Sequence, residues 1–380
     1  MKALWAVPGV ALILVVLWEA FETIVLPRRV TRRIRLTRLF YRFSWRLWLA
    51  ADRAIVPGRR KDTWLSFFGP ISLLLLLSVW AGILIVGFAL LHFAAGSAVH
   101  AAGGVPGFAT DLYLSGTTFF TLGLGDVTPR TSMARAFTVV ESGLGFGFLA
   151  LVIGYLPALN QSFSRREVNI SLLDARAGSP PTAFEMIRRH GHDRGMEALR
   201  QLLHEWERWS SELLESHLSY PVLAYFRSQH DNQSWLGALS TILDTSALAI
   251  AGLDGVCGRQ AELTFAMARH TVVDLSQIFR TPPHMPKQDR LPPKDLKLLR
   301  DRLAASGLRI RDGDEVERTL TELRRMYEPY VHALAHYLRI AVPQWISETG
   351  RPDNWQTSAW GRVSGVKAAG LPQDNEKEHF

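Results

Sequence analysis

The stretch TTFFTLGLGDVTP, residues 117–129, places glycines between leucines and follows them with an acidic residue and a proline. Glycine adopts left-handed backbone angles without a steric penalty. Gly123 and Gly125 therefore allow successive carbonyl groups to face the same way, which a regular strand of other residues cannot do. A column of carbonyl oxygens can replace the hydration shell of a cation. Such a column can serve this purpose only where the surroundings exclude water. Whether residues 117–129 lie in such a place depends on the segments that flank them.

Apolar segments lie on both sides of this stretch. About 20 apolar residues in helical form cross a bilayer, and the segments of that kind are about 4–27, 64–95 and 135–159. The first has its basic cluster after the apolar run and no evident cleavage site, so we expect a retained span rather than a signal peptide. Non-helical backbone at membrane depth is tolerated only where it lines a cavity or binds something. Thr110 and Asp111 are good helix-start residues, which predicts a short re-entrant helix, 110–120, with its C-terminal end favouring a cation.

The net charge of +8 is concentrated in the connection 28–62. This block lacks the groove of interleaved aromatic residues typical of nucleic-acid binding, so anionic lipids of the inner leaflet are the expected partner and nucleic acid is not. Basic connections lie in the cytoplasm. We therefore expect a multi-pass protein of the inner (plasma) membrane, with the N-terminus and residues 96–134 outside and everything after about 160 in the cytosol.

Part of the basic connection has helical periodicity. Its arginines and its apolar residues fall on different faces, namely Arg35, Arg38, Arg42 and Arg46 against Leu36, Phe40, Phe43 and Leu47, with Trp45 and Trp48 at the margin. We expect a helix lying flat on the inner leaflet, and the alternative is a charged helix packed on the cytosolic domain. Glu19 and Glu22 of the first span either meet these arginines or, as we favour, reach toward the interface by snorkelling.

The hexapeptide Thr121-Leu122-Gly123-Leu124-Gly125-Asp126 resembles the signature Thr-Val-Gly-Tyr-Gly-Asp of the potassium-channel pore family. The resemblance continues through residues 127–129 and covers about 64–160. It implies that the hydroxyl and carbonyl of Thr121 and the carbonyls of Leu122, Gly123 and Leu124 form K⁺ sites. Because one chain supplies one such strand, a closed ring of ligands implies a homotetramer. Leu124 stands where the family has tyrosine and offers no hydroxyl.

The resemblance also suggests roles around the signature. Asp126 is expected at the outer mouth, where an acidic ring concentrates cations, or simply as a turn former. Glu141 is costly to leave unpaired within a span, so we expect it to meet hydroxyls of the pore helix, such as those of Thr117 or Thr118, from behind the signature.

The third span carries candidate gating and cavity residues. Gly145 aligns with the inner-helix hinge of the family, and Gly154 and Pro157 mark a second place to bend. Three apolar residues share one face and either line a cavity or belong to an ordinary core, namely Phe146, Leu149 and Ile153.

The remaining sequence reads as amphipathic helices. One stripe predicts a buried helix face: Leu199, Leu202, Leu203, Trp206, Trp209 and Leu213. The apolar segment 235–253 contains Asp244, which favours a buried helix over a span. His190, His192 and Asp193 are expected in a surface turn rather than a metal site, and Asp312, Asp314 and Glu315 at a helix start. Residues 280–293 read as a linker. No nucleophile–base pair or metal-ligand set emerges, and we expect neither an enzyme nor a cofactor.

These features predict an all-α membrane protein with three transmembrane helices, a re-entrant pore helix with its filter loop, and an α-helical cytosolic domain. The expected domains are a first span (1–27), a basic interfacial segment (28–62), a pore module (63–160), a helical regulatory domain (161–363) and a disordered tail (364–380). The favoured function is passive K⁺ conduction gated by the inner helix and the cytosolic domain. The alternatives are a non-conducting membrane-anchored signalling or scaffold protein and a weakly selective cation channel.

Overall fold

The computed structural model describes residues 2–26, 35–55, 61–101, 106–190, 195–230, 232–253, 258–286, 288–308, 310–346 and 353–356. Its helices are α1 (Ala6–Ala20), α2 (Leu36–Ile55), α3 (Lys61–Ala94), α4 (Phe108–Phe119), α5 (Ser132–Ala177), α6 (Ala183–His190), α7 (Gly195–Ser219), α8 (Trp235–Gly252), α9 (Gly258–Phe279), α10 (Pro293–Ala305) and α11 (Asp314–Leu338). The all-α prediction is confirmed. The structure adds a small antiparallel ribbon, β1 (Val99–Ala101) with β2 (Val127–Pro129).

The chain divides into two compact units, Met1–Gln161 and Ser162–Phe380. The finer domain boundaries stay a prediction. The predicted tail 364–380, His192, Asp193 and the arginines between residues 28 and 33 lie outside the described residues.

In the first unit, three helices long and apolar enough to cross a membrane cover the predicted spans, namely Lys2–Val25, Asp62–Ala94 and Ser132–Ala177. The third of them is α5, and it continues well past residue 159, where the predicted span ends. With 46 residues at about 1.5 Å each, α5 is more than twice as long as a bilayer core of roughly 30 Å. Only part of α5 can therefore lie in a membrane.

Two glycines allow α1 and α3 to pack closely. A Cβ built on Gly9 would lie 2.8 Å from the carbonyl oxygen of Gly87, and a Cβ on Gly87 would lie 2.8 Å from a side-chain carbon of Ile13. Small residues at such crossings let helix backbones approach in a membrane. The N-terminal helix is thereby held against α3.

Helix α2 packs on α3 through the tryptophans that were expected at its margin. Trp45 is buried, with its ring 4.7 Å from that of Phe68, and Trp48 stacks on Trp64 at 4.4 Å. The placement of these tryptophans at the margin was therefore wrong, because periodicity defines an apolar arc but not which part of it is covered. The apolar side chains that stay exposed form a stripe, which consists of Leu39, Phe43 and Leu47.

The two acidic residues of the first span are tied to the start of α2. Glu19 is buried, and its carboxylate accepts hydrogen bonds from the backbone N–H groups of Leu36 and Thr37, each at 3.0 Å. Glu22 lies 3.6 Å from the Arg35 guanidinium. The snorkelling interpretation was wrong. Because the first N–H groups of a helix lack partners within it, the Glu19 carboxylate caps α2 from another helix.

The second unit is built around α8, which contacts α6, α7, α9 and α11. Its apolar window is 94% buried inside the unit, so the prediction of a buried helix is confirmed. Asp244, at the middle of α8, forms an ion pair of 2.6 Å with Arg290 and accepts a hydrogen bond of 2.5 Å from the Tyr327 hydroxyl. These partners allow a carboxylate to lie in the core.

Other predictions for this unit can be compared with the structure. The six residues of the α7 stripe are all buried, and α11 begins at Asp314. The imidazole of His190 lies 2.8 Å from the Met186 carbonyl oxygen, and the described residues contain no metal-ligand cluster. The linker prediction agrees with the gap between the end of α9 and the start of α10.

Candidate functional site

Helix α4 leads directly into the segment of residues 121–126, called here the signature segment. It begins at Phe108, two residues before the predicted start at Thr110, and Gly107 flanks it without a side-chain cap. Asp111 does not cap the helix. Its buried carboxylate accepts a hydrogen bond of 2.6 Å from the Ser97 hydroxyl, so it anchors the first turn of α4 to the chain that follows α3.

The last turn of α4 holds the beginning of the signature segment. The N–H of Thr121 donates to the Thr118 carbonyl at 3.0 Å. The N–H groups of Leu122 and Gly123 both donate to the Thr117 carbonyl, at 2.7 and 3.4 Å. The signature segment therefore leaves the helix in a defined direction.

Left-handed backbone recurs at every second residue of the signature segment. The φ angles are +56° at Thr121, +56° at Gly123 and +80° at Gly125. The two glycines adopt such angles freely, as the sequence predicts. Thr121 does not, because a positive φ is an outlier for a β-branched residue. Strain of this kind costs about 1–3 kcal/mol and is concentrated at binding sites.

The C-terminal end of the signature segment is held by a tyrosine. The Tyr113 hydroxyl, from α4, donates a 2.8 Å hydrogen bond to the Asp126 carboxylate. Immediately after Asp126, β2 pairs with β1, so the chain is fixed on both sides of the aspartate. The sequence predicted no contact between Tyr113 and Asp126. Its hydroxyl supplies from the helix the hydrogen bond that Leu124 cannot supply from the signature segment.

A buried polar cluster lies where α3, α4 and α5 meet. The Glu141 carboxylate accepts a 3.3 Å hydrogen bond from the Ser115 hydroxyl and lies 3.8 Å from Nε2 of His92. All three residues are buried. Glu141 therefore meets a hydroxyl of α4, as expected, but that hydroxyl belongs to Ser115 rather than to Thr117 or Thr118.

Thr117 does not reach Glu141 because its hydroxyl is already used within α4. It donates to the carbonyl groups of Tyr113 and Leu114, both at 3.0 Å. Threonine commonly satisfies itself in this way within a helix. The hydroxyl of Ser115 points instead to Glu141, and His92 joins from a helix about fifty residues earlier, for which no sequence signal existed.

Gly145 meets the end of α4 through its backbone. A Cβ built on it would lie 2.0 Å from the Phe119 carbonyl oxygen, whereas one on Gly147 or Gly154 would meet nothing within 4 Å. Close approach is thus an observed reason for glycine at position 145. Helix α5 continues through Gly154 and Pro157 without interruption, and bending at these three positions stays a prediction.

The candidate cavity residues of α5 are exposed in the protomer. Phe146, Leu149 and Ile153 are 68%, 54% and 63% exposed. These fractions exclude the alternative that they belong to the core of the chain. Their position along a cavity stays a prediction.

Comparison with known proteins gives independent information. A family model described as an ion channel matches residues 78–161. An uncharacterized membrane protein of Bacillus subtilis (strain 168), YdjJ, is 25% identical over 184 residues, which are 47% of this chain and 52% of the relative. The chain thus spans about half the length of that relative, and no solved structure matches the chain significantly. Residues 78–161 are therefore similar to an ion-channel family, and this range includes the signature between Thr121 and Asp126.

Proposed function

We propose that four copies of this chain form a K⁺ channel in which the carbonyl oxygens of residues 121–124, with the Thr121 hydroxyl, bind dehydrated K⁺. The alternating left-handed backbone carries this proposal, because Thr121 adopts φ +56° at a steric cost that a simple turn would not require. Carbonyl groups along a regular strand point alternately to opposite sides, whereas left-handed residues at alternate positions turn them toward one side. Rings of such carbonyls are how channels replace the water of an ion.

Assembly follows from the chemistry of the site. One strand cannot surround an ion, so the ring of ligands requires further copies around an axis. The apolar side chains of Phe146, Leu149 and Ile153 are exposed in the protomer, so they are available to line a space enclosed by several copies. In the proposed tetramer these residues face the cavity below the signature segment.

Selectivity for K⁺ over Na⁺ depends on holding the carbonyl ring at a fixed size. The hydrogen bond from Tyr113 to Asp126 and the buried cluster around Glu141 restrain the signature segment from behind. Asp126, which is exposed, contributes negative charge at the outer entrance. The family match supports ion conduction, and these contacts support the finer proposal of K⁺ preference.

We further propose that the channel lies in the plasma membrane with its second unit in the cytosol. The basic connection 28–62 would face the cytoplasm. On α2 the exposed stripe of Leu39, Phe43 and Leu47, with Arg42 and Arg46 exposed beside it, suits the interface of a leaflet that contains anionic lipids. Movement of α5 at Gly154 and Pro157 would gate the inner mouth under control of the cytosolic helices.

The test is the reversal potential of purified protein in a planar bilayer under a K⁺/Na⁺ gradient. A value near the K⁺ equilibrium potential is expected. Gly123→Ala should abolish the current, since a Cβ penalises the left-handed conformation by about 1–2 kcal/mol in each subunit. Gly82→Ala is the matched control, because Gly82 lies in α3 with open space around its Cβ position. A reversal near zero would indicate a non-selective cation pore, and silence from intact tetramers would favour the scaffold alternative.

A further inference from the structure

An open cavity of about 1350 Å³ lies in the second unit. Its walls are the loop between α9 and α10, α10 itself, the end of α11 and the chain after α11. Pockets for small organic ligands usually measure about 300–1,000 Å³, so a molecule of that class fits. No residue of the signature segment lines it.

Two of the charged side chains that line the cavity are already neutralised by residues around them. Asp289 forms an ion pair with Arg324. Arg290 is buried and pairs with Asp244 at 2.6 Å and with Glu328 at 3.3 Å. Burial alone would lower the pKa of Arg290, but the neighbouring carboxylates raise it, so the guanidinium stays charged.

The other charges of the lining are mostly positive. Lys294, Arg302 and Arg339 line the cavity, and against them stands one further carboxylate, that of Asp295. Lys294 and Arg339 are exposed and have no carboxylate partner among the described residues. Lys294 and Arg339 thus bring positive charge to the cavity that no ion pair among the described residues neutralises.

Polar atoms without a hydrogen-bond partner also line the cavity. Trp345 lines the cavity and is 1% exposed, and its Nε1–H has no acceptor among the described residues. The Nε2 atom of His332, also in the lining, has no partner in the same part of the chain. Burial, with the positive charge of Arg290 and His284, lowers the pKa of His332 to about 4, so the ring is neutral. A buried donor without an acceptor is unfavourable, and a ligand that supplies oxygen atoms would satisfy it.

We propose that this cavity binds an organic phosphate. Its phosphate oxygens would be bound by the free cations, Lys294 and Arg339, because phosphate is the common anion that accepts several charged hydrogen bonds at once. Its organic part would lie on the apolar section of the lining, which includes Leu298, Ala335 and Ile340. A nucleotide has this chemistry, and so does the headgroup of a phosphorylated lipid.

Isothermal titration calorimetry on the full-length protein in nanodiscs tests the proposal. The probes are inorganic phosphate, pyrophosphate, AMP and ATP at constant ionic strength, and in a separate arm the nanodiscs contain phosphatidylinositol phosphate instead. We expect an organic probe to bind more tightly than inorganic phosphate. The double variant Lys294→Gln/Arg339→Gln should weaken that binding about tenfold or more. If binding is seen only with nanodiscs that contain phosphatidylinositol phosphate, and if the double variant loses it, the membrane is the source of the phosphate.

The matched control is Lys297→Gln. Lys297 is an exposed residue of α10 one turn after Lys294, and it does not line the cavity. It should bind the probe as the native protein does. Equal affinity in the double variant, or no binding of any probe, would overturn the proposal. Because binding is measured without current, a negative result here leaves the conduction proposal intact, and a silent pore leaves this one intact.

Discussion

Gly145 lies against the carbonyl group of Phe119 so closely that a Cβ on the glycine would be 2.0 Å from the oxygen. At this glycine, helix α5 approaches the last residue of α4 backbone to backbone. The signature segment begins two residues later, so its position depends on this contact. A side chain at position 145 would push the end of α4 away and would thereby shift Thr121, where the proposed ion sites start.

The first prediction is that Gly145→Ala destabilises the protein and removes K⁺ flux. Overpacking of a tight contact costs about 1–3 kcal/mol, and here the displaced group is backbone rather than a flexible side chain. The measurements are the melting temperature in detergent and flux into liposomes. Gly147→Ala, with open space at its Cβ in the protomer, should behave like the native protein. Identical behaviour of the two variants would show that the contact does not matter.

The second prediction concerns the bond between Tyr113 and Asp126. Tyr113→Phe removes the donor of a 2.8 Å hydrogen bond and leaves the ring in place. We expect a folded tetramer with several-fold weaker discrimination between K⁺ and Na⁺, because the C-terminal end of the signature segment loses a restraint. The reversal potential measures this. Tyr330→Phe, in the second unit, is the control, and an unchanged reversal potential in Tyr113→Phe would contradict the assigned role.

The third prediction separates the charge of Glu141 from its hydrogen bonding. Glu141→Ala leaves the buried hydroxyl of Ser115 without its acceptor and His92 without its neighbour. The expected loss of stability is about 1–3 kcal/mol. Glu141→Gln keeps an acceptor for Ser115 and should lose much less. Thermal melting of the two variants provides the comparison, and equal losses would show that the hydrogen bond is not what the site requires.

The fourth prediction is a dependence of stability on pH in the second unit. Burial, with the positive charge of Arg166, lowers the pKa of His217 to about 3 from 6.5, and its Nδ1 donates to the Leu213 carbonyl at 2.8 Å. The folded protein holds this ring neutral, while the unfolded chain binds a proton below pH 6.5. Stability is therefore fully present above pH 6.5 and falls as the pH falls toward 3, by about 1.4 kcal/mol per unit.

Denaturant unfolding followed by tryptophan fluorescence at several pH values tests this dependence. His217→Asn keeps a donor for the Leu213 carbonyl but cannot titrate, so its stability should fall less steeply between pH 6.5 and 3. His204→Gln is the control, since the side chain of His204 is 70% exposed. If His217→Asn and the native protein lost stability in parallel, the buried imidazole would not be the cause.

Local patterns in the sequence predicted those parts of the fold that depend on neighbouring residues. The α7 stripe, the apolar spans and the left-handed glycines at 123 and 125 all follow from spacing or from backbone freedom, which the sequence displays directly. Asp244 correctly separated α8 from the spans, because a central carboxylate is expensive in lipid. Within the candidate site, backbone freedom predicted the left-handed conformations of Gly123 and Gly125.

Contacts between distant residues could not be predicted in the same manner. Glu19 binds N–H groups that follow it by 17 and 18 positions, and His92 meets Glu141 across 49 positions. Tyr113 looked like an ordinary helix residue until the fold brought it to Asp126. In each case the partner is chosen by helix packing, and many polar residues of the chain were equally plausible candidates beforehand.

The buried ion pair of α8 has a consequence for the biosynthesis of the protein. As it leaves the ribosome, the segment Trp235–Gly252 has the length and mean hydropathy of a membrane-crossing helix, and its partner Arg290 has not yet been made. At that moment Asp244 is the one charged residue of this segment. A central aspartate raises the free energy of membrane insertion by about 2.5–3.5 kcal/mol. The carboxylate therefore opposes insertion of this segment before Arg290 has been synthesised, and the ion pair can form only afterwards.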